Sequence, residues 1–344
     1  MTKFRTGLIV GKFCPLHKGH EFLIETAQKA CERLVLISYS KPEYHGCEAE
    51  KRRLWLSDLC PNTKCIVVDD VWLAENAPSV EFSTVPDNET DEHFHRRFTA
   101  WLAHNVLGET IDAIFTSEDY GDGFARVMSA YQSAPVKHVC VDMERAAVPI
   151  SGTLIRENFI QHREFLSDIV YASFVKKAVF LGGESTGKST LARAVAESMN
   201  TQFVPEYGRS LWEQKEGSLN KEDMLKIGRT QYKQEENYAA RAGDWLLCDT
   251  SPLTTVFYSQ YMFGHVDPEL ETLSQTNYHL TFLCAPDFEF VQDGTRRGSK
   301  FRQKQHQWYV KNLQERQIQY VLLTGTIEAR LENVLQEIQT FEDR

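Results

Sequence analysis

Gly7-Leu8-Ile9-Val10-Gly11-Lys12-Phe13-Cys14-Pro15-Leu16-His17-Lys18-Gly19-His20 is an apolar run, a glycine turn, and two histidines three residues apart where a helix begins. The grammar returns at Ala178-Val179-Phe180-Leu181-Gly182-Gly183-Glu184-Ser185-Thr186-Gly187-Lys188-Ser189. Each stretch reads as strand, glycine-containing loop and helix, the opening of a parallel α/β unit whose helix start can hold an anion on main-chain N–H groups. The first helix is expected from about Glu21 to Arg33 and the second from near Ser189.

Working outward, Leu34–Ser40, Cys65–Trp72, Ala113–Ser117 and His138–Asp142 read as further strands of the first half. Trp245–Ser251, Leu280–Pro286 and Tyr320–Gly325 do the same in the second. The spacing leaves room for helices between strands, which favours parallel sheets over hairpins. The fold class expected is α/β, with two doubly wound parallel-sheet domains at 1–173 and 174–344. Glu157 to Lys177 carries no Gly or Pro and is expected to be a helical, packed junction. Asn76 to His95, with Pro78, Pro86 and many acids, is expected to be a surface loop or insertion over the first site.

The 344 residues carry a formal net charge of −10, with 42% hydrophobic and 25% charged side chains. That balance suits globular domains and argues against a broad basic surface for tracking nucleic acid. No apolar run reaches the length of a membrane span and none resembles a signal peptide, so a cytoplasmic location is expected. The eight cysteines include no CxxC pair and read as free thiols.

Gly11 to His20 fits GxFxPxHxGH. Gly11 lets the main chain approach a nucleotide, Pro15 fixes the loop, Gly19 leaves room for the ligand, and His17 and His20 can face one phosphate. An isolated HxxH is usually coincidence; six fixed positions in strand–loop–helix context are not. Pro149-Ile150-Ser151-Gly152-Thr153-Leu154-Ile155-Arg156 supplies natural helix caps at Ser151 and Thr153, with Arg156 on the first turn as a guanidinium fork for phosphate. Together these motifs resemble the HxGH nucleotidyltransferase superfamily, which transfers AMP or CMP and releases pyrophosphate. The resemblance implies a Rossmann-like domain in which Gly11, Lys12, Phe13, Cys14, His17, His20, Ser151, Gly152, Thr153 and Arg156 hold the nucleotide. In it His20 stabilises transition-state charge, Arg156 takes the β/γ phosphates, and Gly152 departs from the usual ISxTxxR pattern. Phe115 to Gly121, with Ser117 and Glu118, resembles the nucleotide-contacting segment of relatives acting on nicotinamide mononucleotide. A phosphate monoester is mostly dianionic at neutral pH and needs no general base.

Gly182 to Ser189 fits GxxxxGK[ST], the P-loop. Main-chain N–H groups of Gly182, Gly183, Glu184, Ser185, Thr186 and Gly187 are expected around phosphate, with Lys188 on the β/γ phosphates, Ser189 on Mg2+ and Thr190 following. The motif establishes nucleotide binding without choosing between a kinase and another NTPase. Glu206, Tyr207 and Arg209 follow a strand end, and Asp249 ends a buried strand, where ligands of open α/β sheets bind. Gln292 to Arg302, including Arg296, is a basic, glycine-flanked loop suited to a lid over transferring phosphate. A hydroxyl nucleophile gains from a carboxylate base: Glu206 is the first choice and Asp249 the alternative, or a Mg2+ or substrate ligand, with Tyr207 a stacking surface and Arg209 beside them in the expected substrate site.

The order of the domains, with Ile-Ser-Gly…Ile-Arg-Glu-Asn, Gly-Gly-Glu-Ser…Gly-Lys-Ser and Glu-Tyr-Gly-Arg, resembles the NadR-type bifunctional family over nearly the whole chain. That family joins a nicotinamide-nucleotide adenylyltransferase to a ribosylnicotinamide kinase. The resemblance implies ATP as co-substrate, ribosylnicotinamide and nicotinamide mononucleotide as substrates, NAD as product and Mg2+ as cofactor. The chain opens at Met1 almost on its first strand, so no helix-turn-helix repressor domain and no operator binding are expected. A CoA-synthase-like or PAPS-synthetase-like pairing, or a non-catalytic NAD/ATP-sensing regulator, are the competing readings. Homo-oligomerisation stays open, as do the residues around the pyridine ring, for which Trp72 and Trp101 are candidates.

Overall fold

The structure is a computed structural model describing residues 3–77, 81–290 and 297–343. It divides into two compact units, Met1–Ser173 and Phe174–Arg344. The first holds five parallel strands, β1 (Phe4–Gly11), β2 (Cys31–Ser38), β3 (Lys64–Val67), β4 (Ala113–Thr116) and β5 (Lys137–Cys140), in the order β3-β2-β1-β4-β5. The second holds five more, β6 (Lys176–Leu181), β7 (Gln202–Val204), β8 (Trp245–Asp249), β9 (Leu280–Cys284) and β10 (Val321–Leu323), all parallel in the order β10-β9-β6-β8-β7. The fold is α/β, as the alternation of apolar runs and amphipathic helices requires.

Central strands buried on both faces read as continuous apolar runs, as Ala178 to Leu181 and Trp245 to Cys248 do. Phe98, Trp101, Ile114 and Val35 lie in the core of the first unit, and Phe180, Leu191, Trp245 and Val334 in that of the second. In both sheets the first strand has neighbours reached by chain leaving in opposite directions. A crevice therefore forms beyond the carboxyl ends of β1 and β4 in one sheet and of β6 and β8 in the other.

Four expectations are corrected. The first helix is Lys18–Ala30, because pairing of Phe4 with Cys31 draws Cys31 to Arg33 into β2. The run Cys65–Trp72 is only briefly strand: Asp69 accepts the Trp72 N–H at 2.7 Å and caps a helix at Asp70–Asn76. Glu157 to Lys177 is not one helix. Asn158 accepts the Gln161 N–H at 2.9 Å, Arg163 donates to the Leu166 carbonyl at 3.0 Å, and Lys176 already pairs with Trp245 in the sheet. Within Asn76 to His95, Phe82 and Val85 are buried in the core and a helix starts at Glu92, so only part is loop. Among the described residues no helix is long and apolar enough to cross a membrane.

Two candidate active sites

In the first unit the chain leaves β1 through Gly11-Lys12-Phe13 and enters the helix Lys18–Ala30 at His17, whose Nδ1 accepts the Gly19 N–H at 3.2 Å. That bond fixes the tautomer: Nδ1 is the acceptor, so neutral His17 carries its proton on Nε2. The His20 ring stacks on His17 with centroids 3.7 Å apart and meets Phe13 edge-on at 4.9 Å. Burial, then the Arg145 charge, brings His17 down to about 4; burial, His17 and Arg145 push His20 well below its ordinary value. Both imidazoles are neutral near pH 7, and His20 Nδ1 is buried without a hydrogen-bond partner. A buried, unsatisfied ring nitrogen is the kind of atom an oxyanion can satisfy.

The other wall comes from the helix Gly152–Glu157. Ser151 caps it, accepting the Leu154 N–H at 3.3 Å. Arg156 donates to the Cys14 carbonyl, donates to Thr153 Oγ1 at 3.2 Å, and lies 4.3 Å from the centre of the Tyr44 ring. Gly152 is forced by this contact, since a Cβ there would stand 2.9 Å from the Cys14 carbonyl oxygen. After β4, Thr116 donates to the Glu118 carbonyl at 2.7 Å and shapes the turn bearing Ser117.

A cavity of about 570 Å³ opens between these walls, within the range of small-molecule sites. Gly11, Lys12, Phe13, Cys14, His17 and His20 line it, and so do Ser117, Glu118, Ser151, Gly152, Thr153 and Arg156. Tyr39, Tyr44, His95, Arg96 and Arg145 also line it, and the motifs gave no sign of them. Asn88, Thr90 and Glu92 place part of the 76–95 stretch on its rim. Trp101 is a core side chain and Trp72 packs against the same core; neither lines the cavity.

In the second unit β6 ends at Leu181, and the turn that follows needs glycine twice. Gly182 has φ of 143°, and a Cβ there would stand 2.8 Å from the Cys284 carbonyl oxygen; Gly187 has φ of 79° at the start of the helix Lys188–Ser198. Lys188 Nζ donates to the Gly183 carbonyl at 3.0 Å and Thr186 Oγ1 to the same oxygen at 2.8 Å. Buried Arg330 donates to the Thr186 carbonyl at 3.0 Å and pairs with Asp287, bracing the turn from outside. Arg302 donates to the Ser185 carbonyl at 3.2 Å.

Asp249, at the end of β8, lies beside Ser189, whose hydroxyl pulls its carboxyl down against burial, and its Oδ1 is buried and unpartnered. A hydroxyl beside a carboxylate with a spare oxygen is an oxygen donor set that suits Mg2+. Glu206 stands where the helix Tyr207–Gln214 begins, yet its carboxylate caps nothing. Burial, then the Asp249 charge, raises it against the opposing pull of Lys188 and Arg209; burial raises Asp249 as well.

The cavity here is lined by Gly182, Lys188, Glu206 and Arg209 and by the apolar side chains of Trp212, Leu219 and Met224. Tyr207 packs in the neighbouring apolar cluster and does not line the cavity; Trp212 and Tyr258 do. Arg296 and the segment from Gln292 lie outside the described residues, while Arg297 lines the cavity.

A cytidylyltransferase-like family model matches residues 8–158, and an AAA domain model matches residues 177–330. The trifunctional NAD biosynthesis/regulator protein NadR of Escherichia coli (strain K12) is 29% identical over 335 residues, covering 92% of this chain and 78% of that protein. Its Salmonella typhimurium counterpart is 28% identical over the same length, with the same coverage. A solved structure of a NadR protein in complex with NR superposes with a TM-score of 0.66 at 21% identity, covering 99% of this chain and 97% of that one. Another, in complex with NAD and AMP-PNP, gives 0.66 at 19% identity, with 100% and 98% covered. At these identities the two structures speak for a shared fold.

Proposed function

The chain belongs to the NadR family, and from that premise we propose that it makes NAD in two steps. The second unit phosphorylates ribosylnicotinamide with ATP, and the first joins the resulting nicotinamide mononucleotide to a second ATP. The observation that supports this reading is the second cavity, which joins residues of the phosphate-binding motif, Gly182 and Lys188, to apolar lining from Trp212, Leu219 and Met224 in one cleft. A simple NTPase needs the first alone. The NR, NAD and AMP-PNP held by the relatives' structures support the same assignment.

In the kinase step a ribose hydroxyl oxygen attacks the γ-phosphorus of ATP, its proton passes to a carboxylate, and ADP leaves. Glu206 suits the base: burial and Asp249 raise it toward neutrality, where a base works best. Asp249, beside Ser189, would hold Mg2+, which would screen phosphate charge when bound. Lys188 and the turn's main-chain N–H groups hold the β/γ phosphates. Trp212 offers the face on which a flat cationic ring would stack.

In the adenylyl step the phosphate of nicotinamide mononucleotide attacks the α-phosphorus of ATP, a P–O bond forms, and pyrophosphate departs. No proton need move. His20 donates to the developing charge, His17 offers Nε2–H beside it, and Lys12, Arg145 and Arg156 gather the phosphates. Arg145 and Arg156 are already ordered by the hydrogen bonds that hold them in the free protein.

Incubated with ATP, Mg2+ and ribosylnicotinamide, the chain should form NAD, and dephospho-CoA or adenylylsulfate should not be turned over. The reverse preference would overturn the assignment.

A further inference from the structure

A P-loop grips phosphate through main-chain N–H groups, but one residue of this loop has its groups committed elsewhere. The Glu184 N–H donates to Gln305 Oε1 at 2.8 Å. Its carboxylate is engaged on both oxygens: Oε1 accepts the Tyr258 hydroxyl at 3.1 Å and Oε2 accepts the Arg297 N–H at 2.7 Å. Gln305 Nε2 closes a ring by donating to the Tyr258 hydroxyl oxygen at 3.1 Å.

The proton inventory admits one arrangement. Tyr258 has a single hydroxyl proton and gives it to Glu184, so its oxygen receives the Gln305 N–H; that orients the Gln305 amide, whose own oxygen then meets the Glu184 N–H. Burial, then the Glu184 and Glu206 charges, keeps the Tyr258 hydroxyl protonated and donating. Glu184, Tyr258, Gln305 and Arg297 all line the same cavity. They come from the phosphate turn, the helix Pro252–Phe263, the helix Ser299–Glu315 and the residue before that helix's N-cap. Glu184 joins three walls of the cleft to the turn.

We propose that Glu184 is a positioning residue for the phosphoryl acceptor and not a phosphate contact: it fixes Tyr258 as a wall of the acceptor end and ties that wall to the phosphate turn. The proposal rests on the kinase reading of the second unit and adds a specificity role for a side chain inside a nucleotide-binding motif. A group acting on phosphate would alter ATP and acceptor together. One acting through Tyr258 alters the acceptor and does nothing further once the hydroxyl is gone.

The test is steady-state kinase kinetics on the full chain for E184A, Y258F and the double variant, with E184Q as a milder change. E184Q keeps an acceptor for Tyr258 but can turn an amide N–H toward the Arg297 N–H. Each of E184A and Y258F should raise the ribosylnicotinamide KM about tenfold, the loss expected for a hydrogen bond to a charged group, with the ATP KM within about twofold of wild type. The double variant should be no worse than the worse single one, and E184Q should fall between wild type and E184A. An ATP KM that rises in step with the acceptor KM, multiplicative effects in the double variant, or an unchanged acceptor KM in E184A and E184Q would each overturn the proposal. A wild-type chain that phosphorylates no ribosylnicotinamide overturns the kinase reading and this proposal with it, a result distinct from an active wild type indifferent to the substitutions.

Discussion

His17 uses its Nδ1 lone pair to cap a helix, which sets its tautomer for an anion, while burial and the Arg145 charge hold it neutral. Its lowered pKa has a sign that can be tested. Below about pH 6.5 the unfolded chain takes up a proton that native His17 refuses until about pH 4. Stability therefore falls as pH drops through that window, by up to about 2 kcal/mol at pH 5 from this residue. His17→Asn keeps a capping acceptor without the titration, so its urea midpoint should change less between pH 7 and pH 5 than that of wild type; an equal slope contradicts the assignment. Gly152→Ala would push a methyl to within 2.9 Å of the Cys14 carbonyl oxygen and 3.2 Å of Arg156. The adenylyl-step KM for ATP should rise roughly tenfold as Arg156 is displaced, with the kinase step unaltered, which coupled assays of the two steps can separate. The motif residues were legible because strand–loop–helix geometry brings them together within one turn of chain. Arg145, Tyr39 and His95 were not, since each reaches the first cavity from a segment whose local sequence is ordinary and whose proximity only the sheet order creates.

At the scale of elements, short polar side chains decided where the sequence reading failed. Asp69 ended a strand early by capping the next helix, and Asn158 broke a stretch free of Gly and Pro by capping a turn of its own. Apolar periodicity does not report such competition. The P-loop is braced by a helix far along the chain, Ile327–Glu342, from which Arg330 donates to the Thr186, Ala285 and Gly325 carbonyls and pairs with Asp287. Nothing in the sequence near Arg330 marks it as part of the nucleotide site. Arg330→Met would leave these acceptors without a donor in a buried place, at about 3 kcal/mol or more. Chemical denaturation should show that loss, together with weakened ATP binding by the kinase unit; a variant as stable as wild type would show the brace to be dispensable.

At the scale of the molecule, two units with separate cores each carry a candidate site, and with a net charge of −10 any anionic ligand would be gathered by local cations, not by a broad basic surface. On the proposed reading the product of one site is the substrate of the other, so the sites could be disabled one at a time. Supplied with ribosylnicotinamide, ATP and Mg2+, His20→Ala should accumulate nicotinamide mononucleotide and make no NAD. Lys188→Ala should make NAD only when given the mononucleotide, and the two variants mixed should restore NAD from ribosylnicotinamide through the free intermediate. The direct measurement is the chromatographic time course of these three reactions. The mononucleotide should appear first and NAD after it in the mixture; loss of both steps in either single variant, or a mixture that forms no NAD, would contradict synthesis at two separate sites.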